Sequence, residues 1–283
     1  MNIQHIFITG GTGDLGSALV KEILKRTSAN IVTNGRDQSK ADELITTLPE
    51  AQRNRFHFFV ADMEKESPRT IAERAYEISG GIDMLISNVA LFGFDDILAN
   101  NEDQKTRLYT TNLSGATLAD AVVDLVTGKG EHIVLCDIGS TSVIADMLGT
   151  PFPDTLHYGK TKADVVRHSI EIAHKNPLVS FRAIHPGSIN GKIAKEIAQR
   201  YGSTCVTTPE ITAHFAIKLF LSESDEKVLQ SIITSEGYFA WTQEGSWYNK
   251  EKEIGTSPLI EGISPERIIK IPIDGVNSFE VTA

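Results

Sequence analysis

From Ile3 to Ser235, short apolar runs alternate with stretches in which apolar residues return every three or four positions. The short runs predict strands, and the longer stretches predict helices that bury one stripe. The first strand, Ile3 to Thr9, meets the glycine cluster Gly10-Gly11-Thr12-Gly13, with Gly16 three residues on. A helix from Asp14 to Arg26 follows at once, with Leu15, Ala18, Leu19, Ile23 and Leu24 on one face. The unit repeats as strand Asn30 to Asn34, helix Gln38 to Leu48 (Ala41, Leu44, Ile45 and Leu48 inward) and strand Phe56 to Ala61. Ser67-Pro68 then reads as an N-cap followed by proline at the first helical position. The helix it opens carries Ile71, Ala72, Ala75 and Ile78 as its buried face and ends at Gly80-Gly81.

The alternation continues with strand Ile82 to Ser87 and a long helix from about Asp103 to Val126 bearing Leu108, Leu118, Val122 and Leu125. Strand His132 to Asp137, helix Tyr158 to His174, strand Val179 to His185, helix Pro209 to Leu221 and strand Ser231 to Ser235 complete it. Strands separated by helical crossovers cannot pair as hairpins, so they must lie parallel. The expected fold is therefore α/β, a doubly wound, mostly parallel seven-stranded sheet of Rossmann type with helices on both faces. In such sheets ligands bind beyond the carboxyl ends of the strands, where the polar clusters of this chain fall.

Composition narrows the partners. The chain has 41% hydrophobic and 23% charged residues, enough for an ordinary packed core. With 37 acidic against 27 basic residues the net charge is -10, so no nucleic acid and no anionic membrane surface is expected as a partner. A bound phosphate must find local cations. Cys136 and Cys205 have neither metal-ligand spacing nor a disulfide framework, so no metal site is expected and a reducing cytoplasm fits. No apolar run reaches membrane-spanning length, and Met1 to Gly11 does not read as a signal peptide.

Three clusters carry candidate chemistry. Thr9-Gly10-Gly11-Thr12-Gly13-Asp14-Leu15-Gly16 joins the first strand to the first helix, where glycines let the backbone approach a pyrophosphate at the helix N-terminus. A steric need for glycine is the plainer alternative. Asn34-Gly35-Arg36-Asp37 ends the second strand, where dinucleotide enzymes read the adenosine ribose. Gly35 leaves room there, and Arg36 offers a planar cation for a 2'-phosphate, which favours NADP(H) over NAD unless Arg36 is only a solvated charge. Tyr158 and Lys162, four apart on one helix face, allow an ammonium to favour phenolate and tune a proton donor for a carbonyl oxygen, although the pair taken alone is better read as part of an ordinary amphipathic helix.

In this order, from about residue 3 to 238, the clusters resemble the short-chain dehydrogenase/reductase family. The glycine segment is similar to the family's T-G-x-x-G-x-x-G form, with Asp14 at the middle glycine of the commoner form. Asp62, followed by Met63, resembles the adenine-contacting acid, and Ser87-Asn88-Val89-Ala90 resembles the Asn-Asn-Ala-Gly stretch. His185-Pro186-Gly187-Ser188-Ile189 resembles the segment lining the nicotinamide, though Gly191 stands where a threonine is usual. The resemblance implies Tyr158, Lys162, Asn112 and a serine after the fifth strand as the catalytic set, with Asn112 holding a water beside Lys162. Simple alignment puts Ile138 at the serine's place; of Ser140, Thr141 and Ser142, Ser140 lies nearest the strand end and is chosen.

The resemblance further implies NADP(H)-dependent hydride transfer to a small or medium carbonyl compound, or from the matching alcohol, with ketone reduction as the expected direction and a homodimer or homotetramer as the expected assembly. A nucleotide-sugar epimerase or dehydratase holding NAD, and a regulator that senses NADP(H) without turnover, are the alternatives. One domain is expected over 1–283, with a substrate-side flap at 188–208 and an extension at 238–283. Tyr238, Phe239, Trp241, Trp247 and Tyr248 concentrate in that extension, either to close over substrate or to pack a subunit interface.

Overall fold

The computed structural model describes residues 3–147, 152, 154–201, 207–222, 227–234, 237–242 and 269–271. Its first half runs β1 His5–Thr9, α1 Asp14–Arg26, β2 Asn30–Gly35, α2 Gln38–Thr47, α3 Glu50–Arg53, β3 Phe56–Val60, α4 Pro68–Ser79, β4 Met84–Ser87, α5 Asp95–Ala99 and α6 Glu102–Thr127. The second half runs β5 Ile133–Ile138, α7 Thr141–Met147, α8 Leu156–Lys175, β6 Val179–Pro186, α9 Lys192–Tyr201, α10 Pro209–Phe220, β7 Val228–Thr234, β8 Gly237–Thr242 and β9 Ile269–Ile271.

The strands form one sheet in the order β3-β2-β1-β4-β5-β6-β7-β8-β9. The seven expected strands are all parallel to their neighbours, while β8 and β9 add an antiparallel edge. The expected seven-stranded parallel sheet is therefore present, and the described residues extend it by two strands. The added strand β8 holds Tyr238, Phe239 and Trp241, paired in register with Ile233, Ile232 and Gln230 of β7. Trp247, Tyr248, Cys205 and most of 238–283 lie outside the described residues.

Each face of the sheet carries its own core. One gathers Leu19, Ile23, Phe215 and Ile217 of α1 and α10 over Ile6, Ile8 and Ile31. The other gathers Ile71, Leu118, Val122, Val166 and Ile170 of α4, α6 and α8 over Phe7, Leu85, Leu135 and Phe181. Burying apolar surface on both faces leaves the strand interiors continuously hydrophobic, which is how a parallel sheet is paid for in free energy. The Ser67 hydroxyl accepts the Thr70 amide at 3.0 Å and Gly80 closes α4 with φ +78°, as the Ser-Pro and Gly-Gly signals require. Ile78, expected inward, is instead exposed, and Ser79 takes the buried place beside the helix end.

The order of strands reverses between β1 and β4. Crossovers leave in opposite directions there, which opens a crevice at the carboxyl ends of the strands. The glycine turn, the end of β2 and the Tyr158–Lys162 pair all lie at that end. No helix among the described residues is long and apolar enough to cross a membrane.

Candidate active site

A cleft of about 1150 Å³ opens at the switch point. Its lining includes Gly10, Thr12, Gly13, Asp14, Leu15, Gly16, Gly35, Arg36, Asp62, Met63, Asn88, Ala90, Ser140, Tyr158, Lys162, Pro186, Gly187 and Ile189. Asn112 is absent from it, as are Thr9, Gly11, Ser87 and His185 of the quoted motifs.

The β1–α1 turn is built by glycines for identifiable reasons. Gly10 has φ +65°, which favours a residue without Cβ. A Cβ on Gly16 would overlap the Gly10 carbonyl oxygen and stand 2.8 Å from Gly11 Cα, so the helix can start this close to the strand only with glycine there. Gly13 is different: its added Cβ would meet only the Gly10 carbonyl oxygen, at 3.5 Å, and would otherwise project into free space. No side chain caps α1 at Gly13, so the first-turn amides remain available to an anion at the positive end of the helix. Thr9, which opens the glycine segment, locks this turn to the end of β4. Its hydroxyl accepts the Asn88 and Val89 amides at 2.9 and 3.2 Å, and the Asn88 side chain donates to the Thr9 carbonyl at 3.0 Å.

At the end of β2, an added Cβ on Gly35 would press on Phe58 at 3.1 Å and on Thr12 Oγ1 at 3.3 Å. Asp37 is committed elsewhere: its carboxylate accepts the amide and hydroxyl of Ser39 and caps α2, which lowers its pKa. Glu64 is held by Arg107 at 3.0 and 3.1 Å and by the Thr111 hydroxyl at 2.9 Å. Arg36 stands 3.9 Å from Glu64 with most of its side chain exposed, so its guanidinium is only loosely engaged. Asn34, also on the cleft wall, is buried, and its Oδ1 has no hydrogen-bond partner among the described residues. A buried acceptor of this kind calls for a donor from a ligand.

At the centre, the ends of β5, α7 and α8 bring Ser140, Tyr158 and Lys162 together. Ser140 stands directly before α7, and its Oγ accepts the Ser142 amide at 3.1 Å, which leaves the hydroxyl hydrogen free to donate. Tyr158 has a raised pKa because its phenol is buried, while a hydrogen bond with Ser140 pulls the other way. Lys162 does not supply the pull expected from the sequence. Its ammonium turns instead to the Ile138 carbonyl at 2.5 Å, buried, with its pKa lowered to about 8 by desolvation and partly restored by the nearby Asp137. Asp137 is itself buried, and desolvation lifts its carboxyl to about 6 against the pull of Ser169, Lys162 and Ser87. An acid in the otherwise apolar run Ile133–Ile138 was a visible signal, but only the α8 packing reveals what it faces.

Behind these, Gly139 is required because a Cβ would overlap the His185 ring, which is fixed by a 2.9 Å bond to Gln230. Burial depresses the His185 pKa to about 4, so the ring is neutral. Asn112 is buried in α6, its side chain accepting the Leu91 amide at 2.7 Å and donating to the Leu91 carbonyl at 3.0 Å and Thr161 Oγ1 at 2.9 Å. It ties the β4–α5 loop to α8.

The segment expected as a flap contains α9. Its two ends meet where Ile189 bridges Thr207, and Asn190 donates to the Thr207 carbonyl at 2.8 Å. Arg200 at the far end of α9 donates to both carboxylate oxygens of Asp96, at 2.9 and 2.8 Å. Residues 202–206 of the expected flap, and 148–151 and 153 of the loop before α8, lie outside the described residues.

A family model for short chain dehydrogenases matches residues 4–202, which includes every group just described at the centre of the cleft. The chain belongs to the short chain dehydrogenase family. An uncharacterized oxidoreductase of Schizosaccharomyces pombe is 25% identical over 250 residues, covering 85% of this chain and 95% of the relative. L-rhamnose-1-dehydrogenase of Scheffersomyces stipitis is 29% identical over 205 residues, 69% of this chain and 76% of that protein. Among solved structures, an alcohol dehydrogenase from Thermococcus sibiricus complexed with 5-hydroxy-NADP superposes with a TM-score of 0.68 at 18% identity. That match covers 82% of this chain and 97% of the other, a likeness of fold. As a short chain dehydrogenase the protein is an oxidoreductase whose family uses a nicotinamide cofactor on a small-molecule substrate.

Proposed function

We propose that this short chain dehydrogenase reduces the carbonyl group of a small or medium organic compound with NADPH. The observation that carries the reading is the convergence of Ser140, Tyr158 and Lys162 on the cleft that also holds the uncapped α1 terminus and Arg36. The residues fit the cofactor. The α1 amides and Gly13 suit its pyrophosphate, the unpartnered Asn34 oxygen and Asp62 its adenosine, and Gly187 and Ile189 its nicotinamide. When bound, the cofactor supplies a hydride to the carbonyl carbon.

The chain's own groups handle the proton. Tyr158, kept neutral by burial, is an acid in reserve and gives its proton to the forming alkoxide. Ser140 donates a hydrogen bond to the same oxygen, oriented by the Ser142 amide behind it. Lys162, at the cleft wall, would hold the cofactor ribose. Asn112 acts at one remove, because its side chain is fully engaged by Leu91 and Thr161 and holds α8 against the β4–α5 loop.

Cofactor choice rests on Arg36. With Asp37 turned into the α2 cap, a 2'-phosphate meets a loosely held guanidinium where a ribose hydroxyl would want a free acid. Arg36→Ala should weaken NADPH by about tenfold or more, the loss of roughly 1.5 to 3 kcal/mol for a charge-assisted contact reduced by solvent screening. NADH should be nearly unaffected. Calorimetric titration of both cofactors against both proteins checks this, and equal weakening of the two would remove the basis for NADPH.

Asp137 gives a pH prediction. It is a buried negative charge beside a lysine whose pKa is already lowered to about 8. Removing that charge in Asp137→Asn lowers the lysine pKa further, so Lys162 loses its proton at lower pH. The alkaline limb of the pH dependence of kcat should therefore move down by about half a unit or more. Superimposable profiles would show that Asp137 does not act on Lys162.

A further inference from the structure

The cleft has two ends of opposite character about Tyr158. Its lining cations Arg36 and Lys40 lie at the ribose end, and Lys192 adjoins Gly191, whose added Cβ would stand 3.2 Å from Asp14 Oδ2 beside the phosphate turn. The other end is aromatic. Phe92 meets the Tyr158 ring edge-on at 5.1 Å, Phe94 meets Phe92 at 5.0 Å, and Tyr201 meets Phe94 at 6.0 Å. Phe152, Ile193 and Ile197 continue this wall. Phe152, Ile193 and Tyr201 are at the same time among the large apolar side chains that the described residues leave exposed. Apolar surface collected at the mouth of a cleft, next to the reacting group, marks what the cleft is shaped to take.

The charges at this end are already spent on one another. Arg200 makes its two bonds to Asp96, lies over the Phe94 ring at 4.3 Å and stands 3.6 Å from Asp154. Asp154 in turn accepts the Tyr201 hydroxyl at 2.6 Å. The ion pair holds Asp96 below the usual carboxylate range. The cation lying over these rings is Arg200, so a carboxylate seated against Phe94 would have to displace Asp96 from it. A sugar would place several hydroxyls against Phe92 and Phe94, whose rings offer no conventional hydrogen bonds, and each unpaired group would carry its desolvation cost.

We propose that the substrate is an uncharged carbonyl compound with an aryl or branched alkyl substituent on one side of the carbonyl, seated against Phe92 and Phe94, and that sugars and keto acids are poor ligands. The proposal rests on the carbonyl-reductase reading for its chemistry. The C=O π pair passes to oxygen, which takes the Tyr158 proton; the carbon gains the hydride, the product is the alcohol, and NADPH is oxidised to NADP+.

Ligand binding, rather than turnover, tests it. Acetophenone, its para-carboxylate and glucose are titrated by saturation-transfer NMR against the full chain, with and without NADP+. Acetophenone should bind at least tenfold more tightly than the other two, in both series. Phe92→Ala should weaken acetophenone by about tenfold while leaving NADP+ affinity intact. Asp96→Asn removes one of the two carboxylates that hold Arg200, so the para-carboxylate should gain affinity several-fold while acetophenone does not. Glucose or the carboxylate binding as tightly as acetophenone, or indifference of the ranking to both substitutions, overturns the proposed substrate class. Failure of NADP+ to bind while the ranking holds counts against the reductase reading and leaves the apolar selectivity standing.

Discussion

Tyr158→Phe should lower turnover by about 10²-fold or more, the usual worth of a positioned acid, and leave NADPH affinity nearly unchanged. The substitution is confined to the proton donor. The ring remains, so its edge-on packing against Phe92 is kept, and Ser140 still has the Ser142 amide to orient it. Lys162 is held by the Ile138 carbonyl and does not depend on the phenol for its place. Loss of turnover with intact binding, measured by steady-state kinetics and cofactor titration on one preparation, therefore isolates proton transfer. Wild-type turnover in this variant would mean that another group protonates the product.

The second large effect separates two glycines of the same turn. In Gly16→Ala the new methyl overlaps the Gly10 carbonyl oxygen and crowds the Gly11 backbone, so strand and helix must move apart. Overpacking of this kind costs roughly 1 to 3 kcal/mol, and because it displaces the α1 amides it should remove NADPH binding as well. In Gly13→Ala the methyl meets only the Gly10 carbonyl oxygen, at an ordinary 3.5 Å, so thermal stability should stay close to wild type. It enters the space assigned to the pyrophosphate, however, and NADPH affinity should fall by about tenfold or more. The pair thus distinguishes a turn that needs glycine only to fold from one that needs it to admit a ligand. If Gly13→Ala keeps full affinity, the pyrophosphate is not bound there.

The parallel part of the sheet was legible because each strand is a short apolar run followed by a one-faced helix, a pattern with few alternative folds. The antiparallel edge was not. β8 follows β7 after only residues 235 and 236, with no helical crossover to announce it, and its aromatic residues read equally as a lid. The helix α9 was missed although Ile193, Ala194 and Ile197 recur at helical spacing, because of these only Ala194 enters the core. Its remaining apolar residues face the cleft, and the glycines before it read as loop.

The site divides in the same way. Gly10, Gly16, Gly35 and Tyr158 announce themselves by residue type and local spacing, since local geometry decides their use. The bond from Lys162 to the Ile138 carbonyl and the proximity of Asp137 depend on how α8 lies over β5, which no spacing within either segment contains. For that reason the sequence led to a lysine that lowers the tyrosine pKa, whereas the folded chain shows a phenol raised by burial and a lysine facing Asp137. Asn112 was found by resemblance, but its bonds to Leu91 and Thr161 are tertiary and could not be foreseen.

In the proposed reaction NADPH bound in this cleft delivers hydride to a carbonyl carbon while Tyr158 delivers the proton. The most direct test uses NADPH deuterated at the transferable nicotinamide position, a panel of aryl and alkyl ketones, and mass spectrometry of the products. The wild-type chain should give alcohol carrying one deuterium on the carbinol carbon, and Tyr158→Phe little or none over the same interval. Tight NADPH binding with no deuterium transferred to any ketone, or equal transfer by the two proteins, would contradict it.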